Sequence, residues 1–234
     1  MKVSSILSII FILMSCSDIS KKTAINTIGP LEKQSAIHTI NPYDSLLIPL
    51  SEGNMWFFDI SYQDISTGRF LEPNQEFPFP QADTLYVHGS TQLDSSPCSL
   101  IRTLSVQKGG TWYTPREKGI YSWAQDPQDT TSMPVFSLTY KYPAYNNEKY
   151  SANGVNVIVK DTAALISVPA GTFTCYHYFS KTPGPNGGIF ENNVWLSKGI
   201  GMIKNESVLY TKGVNPVRRI VQLRKYLHSN SASR

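Results

Sequence analysis

Between Met55 and Gln63, Trp56, Phe58, Ile60 and Tyr62 alternate with Phe57, Asp59, Ser61 and Gln63. A period of two places alternate side chains on opposite faces, so this stretch predicts a half-buried strand. The alternation returns at Phe136, Leu138, Tyr140 and Tyr142 against Ser137, Thr139 and Lys141, and again at Val155, Val157 and Val159. Weaker versions run over Leu85–His88, Leu100–Val106, Gly119–Trp123, Phe173–Phe179 and Ile220–Leu227. No window of helical length repeats apolar residues at i, i+3, i+4 and i+7. Strands joined by connections this short pair antiparallel, because a parallel crossover needs a dozen or more residues.

Two hairpins are legible in the turn chemistry. In Val168-Pro169-Ala170-Gly171-Thr172-Phe173, proline suits the second turn position and glycine the place that wants a positive φ. The second joins Asn193–Ser197 to Ile200–Lys204 through Lys198-Gly199, and Gly201 leaves room for a ring such as Trp195 to lie over the backbone. The predicted fold is mostly β, a single antiparallel, strongly curved sheet (an open or half barrel) with long loops and little helix.

The first sixteen residues carry a different pattern. Lys2 precedes an apolar stretch through Ile6 and Leu13, which ends in Leu13-Met14-Ser15-Cys16, followed at once by polar Ser17, Asp18, Ser20, Lys21 and Lys22. That is a secretory signal, too short for the roughly 20 apolar residues a membrane span needs. Its end resembles the bacterial lipobox, which implies that Cys16 becomes the acylated first residue, with a palmitate among its chains. Ser17 resembles the residue of lipoproteins passed on to an outer membrane, with the leaflet open, and Ser17-Asp18 loosely resembles an acidic surface-export signal. The chain therefore divides into a signal peptide at 1–15, a lipidated flexible tether at 16–41, one antiparallel β domain at 42–228 and a disordered tail at 229–234.

Charge adds little. The formal net charge is +4 and charged residues make up 16% of 234. No dense basic stripe marks a nucleic-acid binder; Arg218, Arg219, Arg224 and Lys225 read as a solvated strand face. Besides Cys16 there are two cysteines, and an oxidising envelope permits Cys98 to pair with Cys175, while two buried free thiols are the alternative. His38, His88, His177 and His228 are scattered and the cysteine spacing matches no zinc motif, so no metal or cofactor is expected.

The segments PLSEGNMW, VPAGTFTCYHY and VWLSKGIGMIKNES, with RRIVQLRKY after them, resemble a group of uncharacterised bacterial envelope lipoproteins. The shared pattern is a proline-flanked Gly-x-x-Trp, then Pro-Ala-Gly-Thr-Phe, then Trp-x-x-Lys-Gly-Ile-Gly, covering mainly residues 48–60 and 165–227. That group is similar in proposed fold to the Lol-pathway lipoprotein carriers. The resemblance implies an open, curved antiparallel sheet around an apolar groove, and transfers no catalytic residue.

No G-x-S-x-G, P-loop or Rossmann glycine pattern occurs, so no enzyme is expected. A set such as His88, Ser90 and Asp94, or carboxylate pairs Glu72 with Glu76 and Asp126 with Asp129, fits loop capping better than catalysis. The long stretch from Asp64 to Asp83, with Phe70, Phe77 and Phe79 among its prolines, is a candidate lid over a groove. Ser45, Thr84, Thr130 and Thr162 each follow an aspartate and resemble Bacteroidetes O-glycosylation sites.

Two functional classes follow. One is a lipid-anchored, non-catalytic envelope protein that binds an apolar ligand or lipidated partner in a groove lined by Trp56, Phe58, Phe136, Tyr140 and Trp195. The other is a structural or interaction module of the envelope that presents Trp112, Tyr113, Tyr121 and Trp123 to a partner, a glycan among the candidates. A secreted hydrolase comes third.

Overall fold

The computed structural model describes residues 46–73, 79–93, 95–105, 110–124 and 135–229. Among them, twelve strands form one antiparallel sheet: β1 (Met55–Asp64), β2 (Ala82–Leu93), β3 (Ser96–Thr103), β4 (Thr111–Arg116), β5 (Gly119–Ala124), β6 (Val135–Lys141), β7 (Lys149–Ala152), β8 (Val155–Val168), β9 (Gly171–Pro183), β10 (Ile189–Ser197), β11 (Gly201–Tyr210) and β12 (Val217–Leu227). A 3-10 turn, Pro185–Gly187, lies between β9 and β10. The strand order is β6-β5-β4-β3-β2-β1-β12-β11-β10-β9-β8-β7, two meanders joined by the pairing of β1 with β12.

The sheet curls until its two edge strands meet, as a nearly closed barrel. Edge strands expose unpaired backbone groups that need partners. Here side chains supply them: the Tyr150 hydroxyl donates to the Thr139 carbonyl at 2.9 Å, Tyr178 to the Lys141 carbonyl at 2.7 Å, and the Asn153 amide to Ser137 Oγ at 2.9 Å. An ion pair between Lys141 and Glu148 spans the same seam. The seam is therefore closed by hydroxyls and an ion pair, with no strand-to-strand ladder between β6 and β7.

The alternation of β1 is realised as read: Trp56, Phe58 and Ile60 are buried on the inner face. They join Val87, Ile120, Val159, Tyr178, Leu196, Ile203, Val221 and Leu223 in one core cluster. Two further pieces of chain fill the concavity. Leu47, Ile48 and Leu50 run into it ahead of β1, tied by Gly199 N–H to the Leu46 carbonyl (2.7 Å) and by Ser99 Oγ to the Leu50 carbonyl (2.8 Å).

The second piece is the β8–β9 hairpin. Register shifts in β8 between Val159 and Asp161 and between Asp161 and Ala164 bend it over the barrel end. Its turn residue Ala170 donates its N–H to the Leu223 carbonyl at 3.0 Å, beside the bulge that skips Arg224 in the β1–β12 ladder. Ile166, Val168, Ala170 and Phe173 pack against the core from above. Gly171 has φ +132°, as the turn chemistry requires.

Two readings, of the ring over Gly201 and of the alternation in β6, are corrected. The ring over Gly201 belongs to Trp56, not Trp195: Gly201 has φ +95°, a Cβ there would lie 3.3 Å from Trp56 Nε1, and that nitrogen donates to the Ile200 carbonyl. Cys98 and Cys175 are free, buried thiols on β3 and β9. The alternation over Phe136–Tyr142 breaks, because β6 bulges where Tyr121 faces Leu138 but Ile120 faces Tyr140.

Candidate functional site

The proposed groove residues divide between the two faces of the sheet. Trp56 and Phe58 are inside, 4% and 1% exposed, and act as core. Tyr140 is also inside, opposite buried Ile120, with its ring 5.3 Å edge-on to Tyr178. The β6 bulge puts Phe136 on the other face, opposite Trp123. Trp195 is outside too, between buried Val194 and Leu196. Its ring stacks on His177 at 4.4 Å, and Lys204 Nζ lies 5.3 Å from it, each of the two directly cross-strand. His177 Nε2 bonds Asn193 Oδ1 at 2.8 Å, and burial pushes the imidazole below its usual range. The five residues form no common surface.

What the concave side does assemble, and the sequence did not announce, is a tyrosine cluster behind the seam. Tyr140, Tyr150 and Tyr176 surround Tyr178 at 5.3–6.5 Å, and Tyr142 packs edge-on to Tyr176 at 5.3 Å. Burial, with neighbouring phenols adding, raises Tyr140 and Tyr178 far above the ordinary phenol value, and burial raises Tyr150. These phenols stay protonated, and Tyr150 and Tyr178 serve as hydrogen-bond donors. Their contacts with β6 are structural.

Of the candidate lid, Phe70 is 60% exposed beside a bridge to Gln63, and Phe79 stacks on Tyr62 at 4.1 Å. Phe77 lies outside the described residues. Residues 64–68 form a turn in which the Asp64 carboxylate accepts from the Ser66 and Thr67 amides, so this part of the stretch is built and not structureless. Among the candidate modification sites, Thr84 lies in β2 with its N–H on Asp83 Oδ1. Thr162 falls in the bulged part of β8, unpaired between Asp161 and Ala164. Ser45, Thr130 and Cys16 lie outside the described residues.

The outer face of β3–β6 brings Trp112, Tyr121 and Trp123, grouped from the sequence, together with Leu100, Phe136 and Leu138. Register places Leu100, Trp112, Trp123 and Phe136 side by side across four strands. At the strand spacing of about 4.8 Å the row is about 14 Å wide. Tyr121 and Leu138 make the next row. None of these six belongs to the core cluster. Arg116 lies over the Phe136 and Tyr121 rings at 4.3 and 5.4 Å. Tyr113, which the sequence grouped with these rings, points instead into the core, opposite Ser99 and Ser122.

Among the described residues no group of three or more His, Cys, Asp or Glu is placed to hold a metal ion. No helix among them is long and apolar enough to cross a membrane.

No family model matches the chain, and no curated protein sequence is similar to it. Two solved structures are similar in backbone. A protein described as a lipoprotein from Parabacteroides distasonis is 16% identical, with 78% of this chain and 99% of that one covered and a TM-score of 0.44. A protein described as exported, with a YmcC-like fold, from Bacteroides fragilis is 12% identical, with 79% and 100% covered and a TM-score of 0.45.

Proposed function

We propose that the chain is a lipid-anchored, non-catalytic protein of the bacterial envelope, held at the outer membrane through Cys16, and that it works as an interaction module. The observation that supports this reading is the filled concavity. Leu47, Ile48 and Leu50 enter it from one side and the β8–β9 hairpin covers it from another, so the inward aromatics already have protein neighbours. Apolar groups whose surface is buried against one another gain nothing further from a ligand. The aromatic surface we assign to a partner is on the outside of the sheet, where Trp112, Tyr121, Trp123 and Phe136 stand half-buried on adjacent strands.

Native mass spectrometry with lipid extraction, on protein purified from a bacterial envelope, tests this. The expected result is a domain without a bound acyl ligand beyond the chains on Cys16. A stoichiometric apolar ligand would overturn it.

One observation favours the apolar-ligand alternative as a second reading. The hairpin over the core is joined to β12 by the Ala170–Leu223 backbone bond beside a bulge, and its Leu165 is 73% exposed. A strap that lifted there would uncover Ile166, Val168 and Phe173 together with the core below. Uptake of a fluorescent fatty acid by the intact protein, abolished by cross-linking the hairpin to β12, would support that reading over the first.

A further inference from the structure

The hairpin that β8 and β9 lay over the barrel end has two faces of different composition. Ile166, Val168 and Phe173 pack against the core, while Leu165, Ser167, Thr172 and Thr174, which alternate with them, are exposed. Register sets Leu165 opposite Thr174 and Ser167 opposite Thr172, with the Ser167 and Thr172 hydroxyls 2.9 Å apart, so the four share one surface. Leu165 is 73% exposed. From Thr162 to Tyr176 there is no Asp, Glu, Lys, Arg or His, in a chain of which 16% is charged. A solvated ribbon ordinarily carries charges of both signs. Here cations stand around it instead. Lys198 is exposed on the β10–β11 turn, and Arg224 and Lys225 are exposed next to Leu223, where the hairpin tip is bonded. Arg224 also meets Asp59 at 3.5 Å, in a pair exposed on both sides.

The N-terminal chain arrives at the same end of the barrel. Successive antiparallel strands put the β8–β9 and β10–β11 turns at one end of the sheet, and the second of these holds the Leu46 carbonyl through the Gly199 N–H at 2.7 Å. β10 ends against Tyr176, at the base of the hairpin. Whatever path residues 17–45 take from Cys16, they reach the domain at Leu46, on this rim.

We propose that the outward face of the hairpin rests on the anionic phospholipid surface of the membrane that holds the anchor, which rests in turn on the reading of Cys16 as a lipidated residue. Leu165 enters the headgroup layer, where an apolar side chain without charged neighbours gains by leaving water. Lys198, Arg224 and Lys225 meet lipid phosphates, each contributing about fivefold in binding near an anionic surface. Attachment is the work of the acyl chains. The hairpin fixes which way the barrel points, with this end toward the lipid and the β11–β12 turn away from it.

The buried state of the native thiols makes the test specific. Cys98 and Cys175 are 1% and 0% exposed, so one introduced cysteine takes a thiol-reactive nitrobenzoxadiazole fluorophore by itself. Thr174→Cys places it opposite Leu165, and Val214→Cys places it at the other end of the barrel, where Val214 is 62% exposed. The acylated mature protein is reconstituted into vesicles of phosphatidylcholine and phosphatidylglycerol that carry a spin label high on the acyl chain. Emission from Thr174→Cys should be quenched and that from Val214→Cys should not. Adding Leu165→Asp to Thr174→Cys should abolish the quenching while the acyl chains keep the protein on the vesicles. Equal quenching at the two sites, or none at Thr174→Cys, would overturn the proposal.

A mature chain carrying Cys16→Ser reads the surface without the anchor. It should bind the same vesicles, and Lys225→Gln should weaken that binding about fivefold. Binding that Lys225→Gln leaves unchanged would overturn the role given to the cations. Intact mass decides the anchor separately: native protein with Cys16 unmodified refutes the lipid reading, whereas acylated protein with an unquenched hairpin refutes the contact alone.

Discussion

The Tyr178 hydroxyl on β9 donates to the Lys141 carbonyl on β6 across 2.7 Å, joining strands that lie near opposite ends of the sheet order. Tyr150 makes the same kind of bond to Thr139. Together they give the β6 edge what a neighbouring strand would have given it. Tyr178→Phe keeps the ring and removes the donor, leaving the Lys141 carbonyl without that partner, which should cost about 1–3 kcal/mol. Chemical denaturation measures the loss. Amide exchange should accelerate on β6 and β7 more than on β1 and β12, because only the seam is opened. Uniform acceleration, or none, would show that the seam is held by something other than these hydroxyls.

Gly201 and Trp56 make a second paired relationship. The glycine holds φ +95°, and the indole lies over it with its N–H on the Ile200 carbonyl. Gly201→Ala adds a Cβ at 3.3 Å from the indole nitrogen and forces an L side chain into a region that costs roughly 1–2 kcal/mol. The variant should be destabilised by at least that much, with a shifted Trp56 emission that reports the displaced ring. An unchanged emission spectrum would mean that the backbone alone absorbs the substitution.

The two buried thiols give a prediction with a sign. Burial pushes the Cys175 thiol up to about 12 in the folded chain, against 9.0 when unfolded, and burial raises Cys98 in the same direction. Between those values the unfolded chain loses its thiol proton first, so the contribution of Cys175 to stability is intact below pH 9 and is lost as pH rises toward 12. The thiols of native protein should resist alkylation at pH 8, and two should react after unfolding without reductant. Recovery of no free thiol before reduction would show that Cys98 and Cys175 had paired.

His177 acts in the opposite pH range. Burial lowers its value below 6.5 more than the Asn193 hydrogen bond raises it. As pH falls below 6.5 the unfolded imidazole takes up its proton first, so stability falls with pH until the folded value is passed, and is flat above 6.5 with respect to this group. His177→Gln should flatten that part of the stability curve. A variant with the wild-type slope would assign the acid sensitivity to the carboxylates.

How much of this was readable in the chain depends on which force set each element. The strand over Trp56–Tyr62 and the hairpins at Pro169-Ala170 and Lys198-Gly199 follow from local alternation and turn chemistry, and they stand where the residues put them. β4 (Thr111–Arg116) contains Pro115 and β7 (Lys149–Ala152) has only four residues, so neither carries a period long enough to see. The split of Phe136 from Tyr140 turns on one bulge at Thr139, and one residue of slip exchanges the faces of a strand. Alternation says that two faces exist. It does not say which ring will meet which strand across the barrel, which is why Trp195 was expected over Gly201 and Trp56 is found there.

Leu47 separates a filled core from an occupied groove. It is fully buried, in a segment that enters the concavity ahead of β1 and is bonded at Leu46 to Gly199 and at Leu50 to Ser99. If Leu47–Leu50 are part of the core, Leu47→Ala removes packed methyl groups and should cost about 2–5 kcal/mol, with no gain of ligand binding. If they are a plug standing where an apolar ligand belongs, the same substitution should cost little and let a fluorescent fatty acid enter the space vacated. Denaturation and fatty-acid titration of one variant therefore decide together. The contacts made by this segment at both of its ends favour the first outcome.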